Sequence, residues 1–191
     1  VNDAIGNLDA EANFANTASG KICGAIDLTA TGSDNYVDMP ESVLHGKSQF
    51  SISTWISTLA STQQTILSGG NFQDADHITF ELASSTQIKV TLANVVKTFN
   101  APLGINLSDN QWHHLVWTQG SDQSCLYVDK ISAGCQVHTS ISLNIDRLLL
   151  GQKLHSMSVK SESQGKPATQ SSTLNWYGII ASADRAVDGI T

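Results

Sequence analysis

The sequence predicts an all-β protein, an antiparallel sandwich followed by a loosely structured C-terminal segment. Three observations carry this. First, 40 of the 191 residues are Ser or Thr, with 14 Gly and only four Glu, a mixture that favours strands and turns over helices. Second, apolar residues recur at every second position in short runs, the period of half-buried strands. Third, clusters of turn formers separate those runs, and no stretch sustains a 3.6-residue period. A hydrophobic content of 40% is enough for a core. Ten basic against 17 acidic residues, a net charge of −7, argue against nucleic acid as a partner, because phosphate binding needs a basic face. No apolar run approaches the ~20 residues of a membrane span, so no membrane insertion is expected.

Along the chain, the alternating pairs and triplets are Phe50 and Ile52; Ile78, Phe80 and Leu82; Ile88, Val90 and Leu92; Leu115 and Trp117; Leu126 and Val128; Leu148 and Leu150. Turn clusters lie at Thr31-Gly32-Ser33-Asp34-Asn35, Ser68-Gly69-Gly70-Asn71 and Gln119-Gly120-Ser121-Asp122. Alternation leaves one face of each sheet wet, and the Ser and Thr positions are expected to fill it. Val43-Leu44-His45 has room for one short helical turn. After Gln152 the sequence becomes polar with few core candidates. The expected organisation is a sandwich at 1–152, a linker at 153–162 and a segment at 163–191, the last too short to bury a core of its own.

The order Gly24-Ala25-Ile26-Asp27-Leu28, Asp34-Asn35-Tyr36-Val37, Phe50-Ser51-Ile52-Ser53-Thr54-Trp55-Ile56, Asn110-Gln111-Trp112-His113-His114-Leu115-Val116-Trp117-Thr118, Leu126-Tyr127-Val128-Asp129 and Leu148-Leu149-Leu150-Gly151-Gln152 resembles the laminin-G/pentraxin-like jelly-roll family over residues 1–152. The resemblance implies a concanavalin-like sandwich of two antiparallel sheets, used in extracellular proteins mainly for binding. Two departures stand out. The family's Asp-Gly turn is Asp129-Lys130 here; a tight primed turn would force Lys130 to positive φ, so a three-residue loop is expected. The family's last strand has no counterpart after Gln152, so another segment substitutes or the sandwich is left open. In the tail, Gly165-Lys166-Pro167-Ala168-Thr169-Gln170-Ser171-Ser172-Thr173 and Ala183-Asp184-Arg185-Ala186-Val187-Asp188-Gly189 resemble the opening of a discoidin or F-type lectin domain. That family's sugar-contacting residues would lie beyond Thr191, so no lectin site is assigned to the tail.

Asn71, Asp74 and Asp76 form the metal candidate, because closely spaced Asp and Asn on one loop can supply several of the oxygens calcium needs. The loop aligns with the segment through which pentraxins hold calcium. The acidic run that completes the pentraxin cage after Leu-Gly-Gln is replaced by Lys153-Leu154-His155, which leaves either a single weaker calcium ion or a solvated acidic turn. Asp34, Asn35 and Asp38 read as turn chemistry, since Asx side chains hydrogen-bond their own backbone. Asp184 and Asp188 match positions near the calcium loop of F-type lectins, with Ile190 where Asn is expected. His113 and His114 are strand neighbours pointing to opposite faces, so they cannot chelate one ion; a structural role beside Trp112 and Trp117 is expected.

No catalytic set emerges. Glycoside hydrolysis needs two carboxylates flanking the scissile bond. Glu81 is the only Glu in an expected strand, flanked at same-face spacing by Thr79 and Ala83. There is no Gly-x-Ser-x-Gly elbow either. Cys125 and Cys135 bracket the hairpin around Lys130. A three-residue loop places them opposite each other, and a two-residue loop does so with a bulge, for which Gly134 is suited. A 125–135 disulfide is therefore expected, implying an extracytoplasmic setting. Cys23 is left over, by default a buried thiol, in the sharper option one half of an intermolecular bridge.

The function expected from all this is non-catalytic extracellular recognition of a glycan or glycoprotein, in surface adhesion or matrix contact. Trp55, Tyr36 and Tyr127 are the candidate stacking platforms, with core or sheet packing as the plainer role for each. The rival expectation is an assembly module whose incomplete sandwich self-associates by strand addition.

Overall fold

The computed structural model describes residues 8–29, 35–71, 77–154, 174–176 and 179–181 and divides into two compact units, Val1–Ser156 and Met157–Thr191. The first is a sandwich of two antiparallel sheets. One has seven strands, in the order β1 (Glu11–Asn13), β4 (Tyr36–Met39), β13 (Arg147–Leu150), β6 (Gln64–Gly70), β7 (Ile78–Ser84), β8 (Gln87–Leu92) and β9 (Val95–Asn100). The other has four, β12 (Ile131–Val137), β11 (Gln123–Val128), β10 (His113–Gln119) and β5 (Phe50–Ile56). A separate pair joins β2 (Asn16–Ser19) to β3 (Gly24–Asp27). The short helical turn spans Glu41–Val43, slightly earlier than its apolar residues suggest, because Pro40 presets the backbone entering it.

Every alternating run of the sequence is a strand. Their apolar positions meet between the sheets: Ile78, Phe80, Leu82, Ile88 and Val90 from the larger, Leu115, Trp117, Leu126 and Val128 from the smaller. Trp117 is the hub, fully buried, with its ring 5.0 Å from Phe50 and 5.7 Å from Phe80. Each such side chain contributes about 1.5–3 kcal/mol by burial.

Gly151 closes β13 at φ 85°, where a Cβ would land on Leu28 Cδ1.

Three expectations are corrected. The outer face of the larger sheet is not wet at its centre: Ser68, Thr79, Glu81 and Thr91 are all buried there. The chain returns over it after β13, and Ser68 Oγ donates to Gln152 O (2.7 Å) while accepting from Leu154 N (2.8 Å). Asp38 sits on β4 rather than in a loop. The β11–β12 connection is a two-residue turn with Asp129 at φ 50° and Lys130 at φ 71°. The register Cys125↔Cys135, Leu126↔Gly134, Tyr127↔Ser132 makes Ala133 the extra residue of a bulge beside Gly134. The expected disulfide is present, Cys125–Cys135, with Cα atoms 4.0 Å apart.

The sheet edges differ. On β9, Lys97 lies opposite the core residue Val90 and so faces inward, and Gln136 Nε2 donates to Thr98 O (2.6 Å); an inward charge is a recognised way to blunt an edge. β12 is bulged and β1 has three residues. β5 has seven residues with no charge, proline or bulge. Among the described residues no strand pairs with its outer side, and its core-facing Phe50, Ile52 and Ile56 are only half-buried.

In the second unit the described strands are β14 (Leu174–Trp176) and β15 (Ile179–Ala181), paired with each other. The discoidin-like stretches and most of the expected linker lie outside the described residues.

Candidate functional site

The outer face of the four-stranded sheet gathers the exposed chemistry. On β5 and β10 the pairs are Trp55 with His114, Ser53 with Val116 and Ser51 with Thr118. β11 continues the rows, placing Tyr127 beside Val116 and Cys125 beside Thr118. Trp55 stacks on His114 with ring centroids 4.8 Å apart and an interplanar angle of 26°. Ser53 Oγ, 2.8 Å from His114 Nε2, fixes that ring. Lys21, in the β2–β3 turn, holds its ammonium 5.7 Å from the Trp55 ring, within cation–π range. Tyr127 is exposed. The result is an aromatic stack in which each ring covers a face of the other, half-buried and with hydroxyls around it. At the far end of the sheet, reaching from this face round to the core-facing Phe50 and Gln119, is a shallow pocket of about 420 Å³, lined by Gln49, Phe50, Ser51, Thr118, Gln119, Gly120, Gln123 and Cys125.

On the core side of β10, His113 is clamped between two carboxylates. Its Nδ1 lies 2.7 Å from Asp129 Oδ2 and its Nε2 3.1 Å from Asp109 Oδ1. Burial alone would lower its pKa; the hydrogen bonds and charges of Asp129 and Asp109 outweigh burial and raise it. The two histidines thus face opposite ways as expected, but their partners are these carboxylates and Trp55. His138 goes the other way, its pKa lowered first by burial and then by the charge of Lys97. Its Nδ1 is 2.9 Å from Ser124 Oγ, which also donates to Gln119 Oε1. Ser124 is fully buried, so this Ser–His contact is a core network without access to substrate.

Of the metal candidates, Asn71 is buried and its Nδ2 donates to Asn144 O (2.8 Å), anchoring the start of the loop. Asp74 and Asp76 lie outside the described residues, as do Asp34, Asp184 and Asp188. Among the described residues no group of three or more His, Cys, Asp or Glu could hold a metal ion. The Asn71 carboxamide alone falls far short of the six to eight oxygens that calcium takes. Asp38 accepts from Arg147 Nη2 (2.9 Å) and Nε (3.1 Å), while Arg147 also donates to Tyr36 Oη (3.2 Å) and sits 5.4 Å from its ring. Tyr36 is therefore engaged and offers no free platform. Glu81 is bound by Lys89 (3.3 Å) and Gln63 (2.9 Å). Cys23 is exposed rather than buried.

Trp55 and Tyr127 were legible as candidates; Lys21, Ser53 and His114 were not. Period-two spacing places residues 51, 53 and 55 on one face, but which strand lies beside them is a register question.

A family model described as the concanavalin A-like lectin/glucanases superfamily, of laminin G type, matches residues 31–162. No curated protein matches. Among solved structures the chain is similar to domain 4 of AbnA, an extracellular arabinanase from Geobacillus stearothermophilus, solved with arabinotriose: TM-score 0.61, 16% identity, covering 81% of this chain and 79% of that one. It is also similar to the botulinum neurotoxin type G receptor-binding domain (TM-score 0.57, 13% identity, 78% of this chain and 39% of that one). A third is the mouse laminin α1 chain, domains LG4-5 (TM-score 0.50, 18% identity, 60% and 31%).

Proposed function

The chain belongs to this laminin-G-type family of the concanavalin A-like superfamily, and from that premise we propose that it is a non-catalytic extracellular module that binds glycans in adhesion or matrix contact. The observation that carries this is the Trp55–His114 stack on the outer face of the small sheet. The exposed part of this stack is held in place by a strand pair, so a sugar that meets it finds it already ordered and little side-chain entropy is lost on binding. The likeness to an arabinanase domain solved with arabinotriose supports it. The Cys125–Cys135 disulfide supports an extracytoplasmic setting. A non-catalytic role is supported by Glu81, which is buried and tied to Lys89, beyond reach of a glycosidic bond. No helix among the described residues is long and apolar enough to cross a membrane.

The test is a glycan-array screen of the chain and of Trp55→Ala, with calcium and with chelator. The expected result is binding by the parent chain that the variant loses. Loss in chelator would add a calcium ion at Asn71, Asp74 and Asp76 to the proposal; absence of binding by a folded parent would reject the glycan.

One observation favours a second reading, assembly by strand addition. The seven-residue edge of β5 is unblunted, and its core-facing residues are half-buried beside fully buried Leu115 and Trp117. Light scattering decides it: oligomers that dissolve into monomers on Ser53→Pro support it, and a monodisperse parent monomer counts against it.

A further inference from the structure

We propose that the 420 Å³ pocket at the Ser51–Thr118 end of the small sheet is a second sugar subsite, specific for an uncharged unit of an oligosaccharide that meets Trp55 with another of its units further along. The inference rests on the glycan reading and deepens it. Ser51 and Trp55 share one face of β5, four residues apart, which is roughly 13 Å along a strand. A ligand that reaches both is therefore an oligosaccharide.

The chemistry of the lining sets the class. None of the eight residues carries a charge. Four of them, Gln49, Ser51, Thr118 and Gln123, have carboxamide or hydroxyl groups that both donate and accept, as sugar hydroxyls do. Among the described residues none of these four side chains finds a hydrogen-bond partner, in contrast to Gln119 at the pocket's inner wall. Gln119 Nε2 is spent on Gly120 O (2.9 Å) and His138 O (2.8 Å), and its Oε1 accepts from Ser124. Phe50 and Cys125, the latter fixed by its disulfide, supply the apolar part of the wall, and the lining is carried by β5, β10 and β11. A concave site with an apolar wall and a few convergent polar groups suits a small ligand. An acidic sugar placed here would leave its carboxylate or sulfate partly desolvated with no cation to meet it, so anionic glycans are disfavoured.

The experiment is a 15N-resolved NMR titration of the whole chain. The probes are neutral oligosaccharides (arabinotriose, cellotetraose, mannotriose and galactotriose) and the anionic 3′-sialyllactose. The signals followed are the Trp55 indole N–H and the side-chain amides of Gln49 and Gln123. The expected result is that a neutral oligosaccharide shifts all three and sialyllactose shifts none of the amides. Combining Ser51→Ala with Gln123→Ala should weaken that oligosaccharide roughly tenfold, in line with the loss of one or two hydrogen bonds. The same double variant should leave binding of the corresponding monosaccharide at Trp55 unchanged. Shifts confined to Trp55, or a double variant that binds like the parent, overturn the subsite and leave the glycan reading standing. Sialyllactose binding at the amides with equal or greater strength overturns the neutral class. No shift from any probe rejects the subsite and the glycan reading together.

Discussion

The carboxylate of Asp129 lies 2.7 Å from the Nδ1 of His113. Its other oxygen accepts the backbone N–H of His114 at 2.8 Å. A turn residue of the β11–β12 hairpin thus fastens that hairpin to the neighbouring strand, and this offsets the strain of two consecutive non-glycine residues at positive φ. Lys130→Gly is expected to raise stability by about 1 kcal/mol, since it removes a left-handed conformation that costs side-chain-bearing residues. Asp129→Ala is expected to lower stability by more than that, because it strips partners from a buried imidazole and a backbone amide. Urea titration of the two variants checks both signs.

The clamp on His113 also sets a pH dependence. Its folded pKa is raised from the ordinary 6.5, so its contribution is fully present below that pH and is lost as pH rises through the folded value. His138 has the opposite shift from the same 6.5; its contribution is present above that pH and lost as pH falls. Thermal midpoints should therefore decline on both sides of this point. His113→Gln should flatten the alkaline decline and leave the acid one, measured between about pH 5 and 8.

Reduction of Cys125–Cys135, or Ser at both positions, is expected to cost about 2–3 kcal/mol, the loop-entropy value for a closure of ten residues. Chemical denaturation with and without reductant measures this.

Gly151→Ala is expected to destabilise by about 2 kcal/mol, because the new Cβ meets Leu28 Cδ1 and the backbone stands at φ 85°. The companion Leu28→Ala should recover part of the loss, which distinguishes the clash from the backbone cost.

Much of the sandwich was readable from single residues. Phe50 and Ile52, or Ile88, Val90 and Leu92, alternate so strictly that only a strand with one buried face fits them. The disulfide followed from counting residues around a turn, although the turn was a two-residue one with a bulge rather than a three-residue loop. What stayed hidden was long-range. Thr79 and Thr91 read as a wet face, yet they are buried on the large sheet and bonded hydroxyl to hydroxyl at 2.8 Å, because nothing local says the chain will return over Ser68. Likewise Ser53 and His114 are 61 residues apart, and no local period says that they will meet. For Asp74 and Asp76 the ligand geometry lies outside the described residues.

The unequal ends of the small sheet limit how far it can grow. If two copies join through their β5 edges about a twofold axis, the extended sheet presents only β12 at either end, and that strand is bulged at Ala133–Gly134 and stapled through Cys135. Growth by this route ends at a pair, a closed dimer whose two outer faces lie side by side. Such a dimer would meet a repetitive polysaccharide with two identical grips, and the second would bind at the high local concentration set by the first.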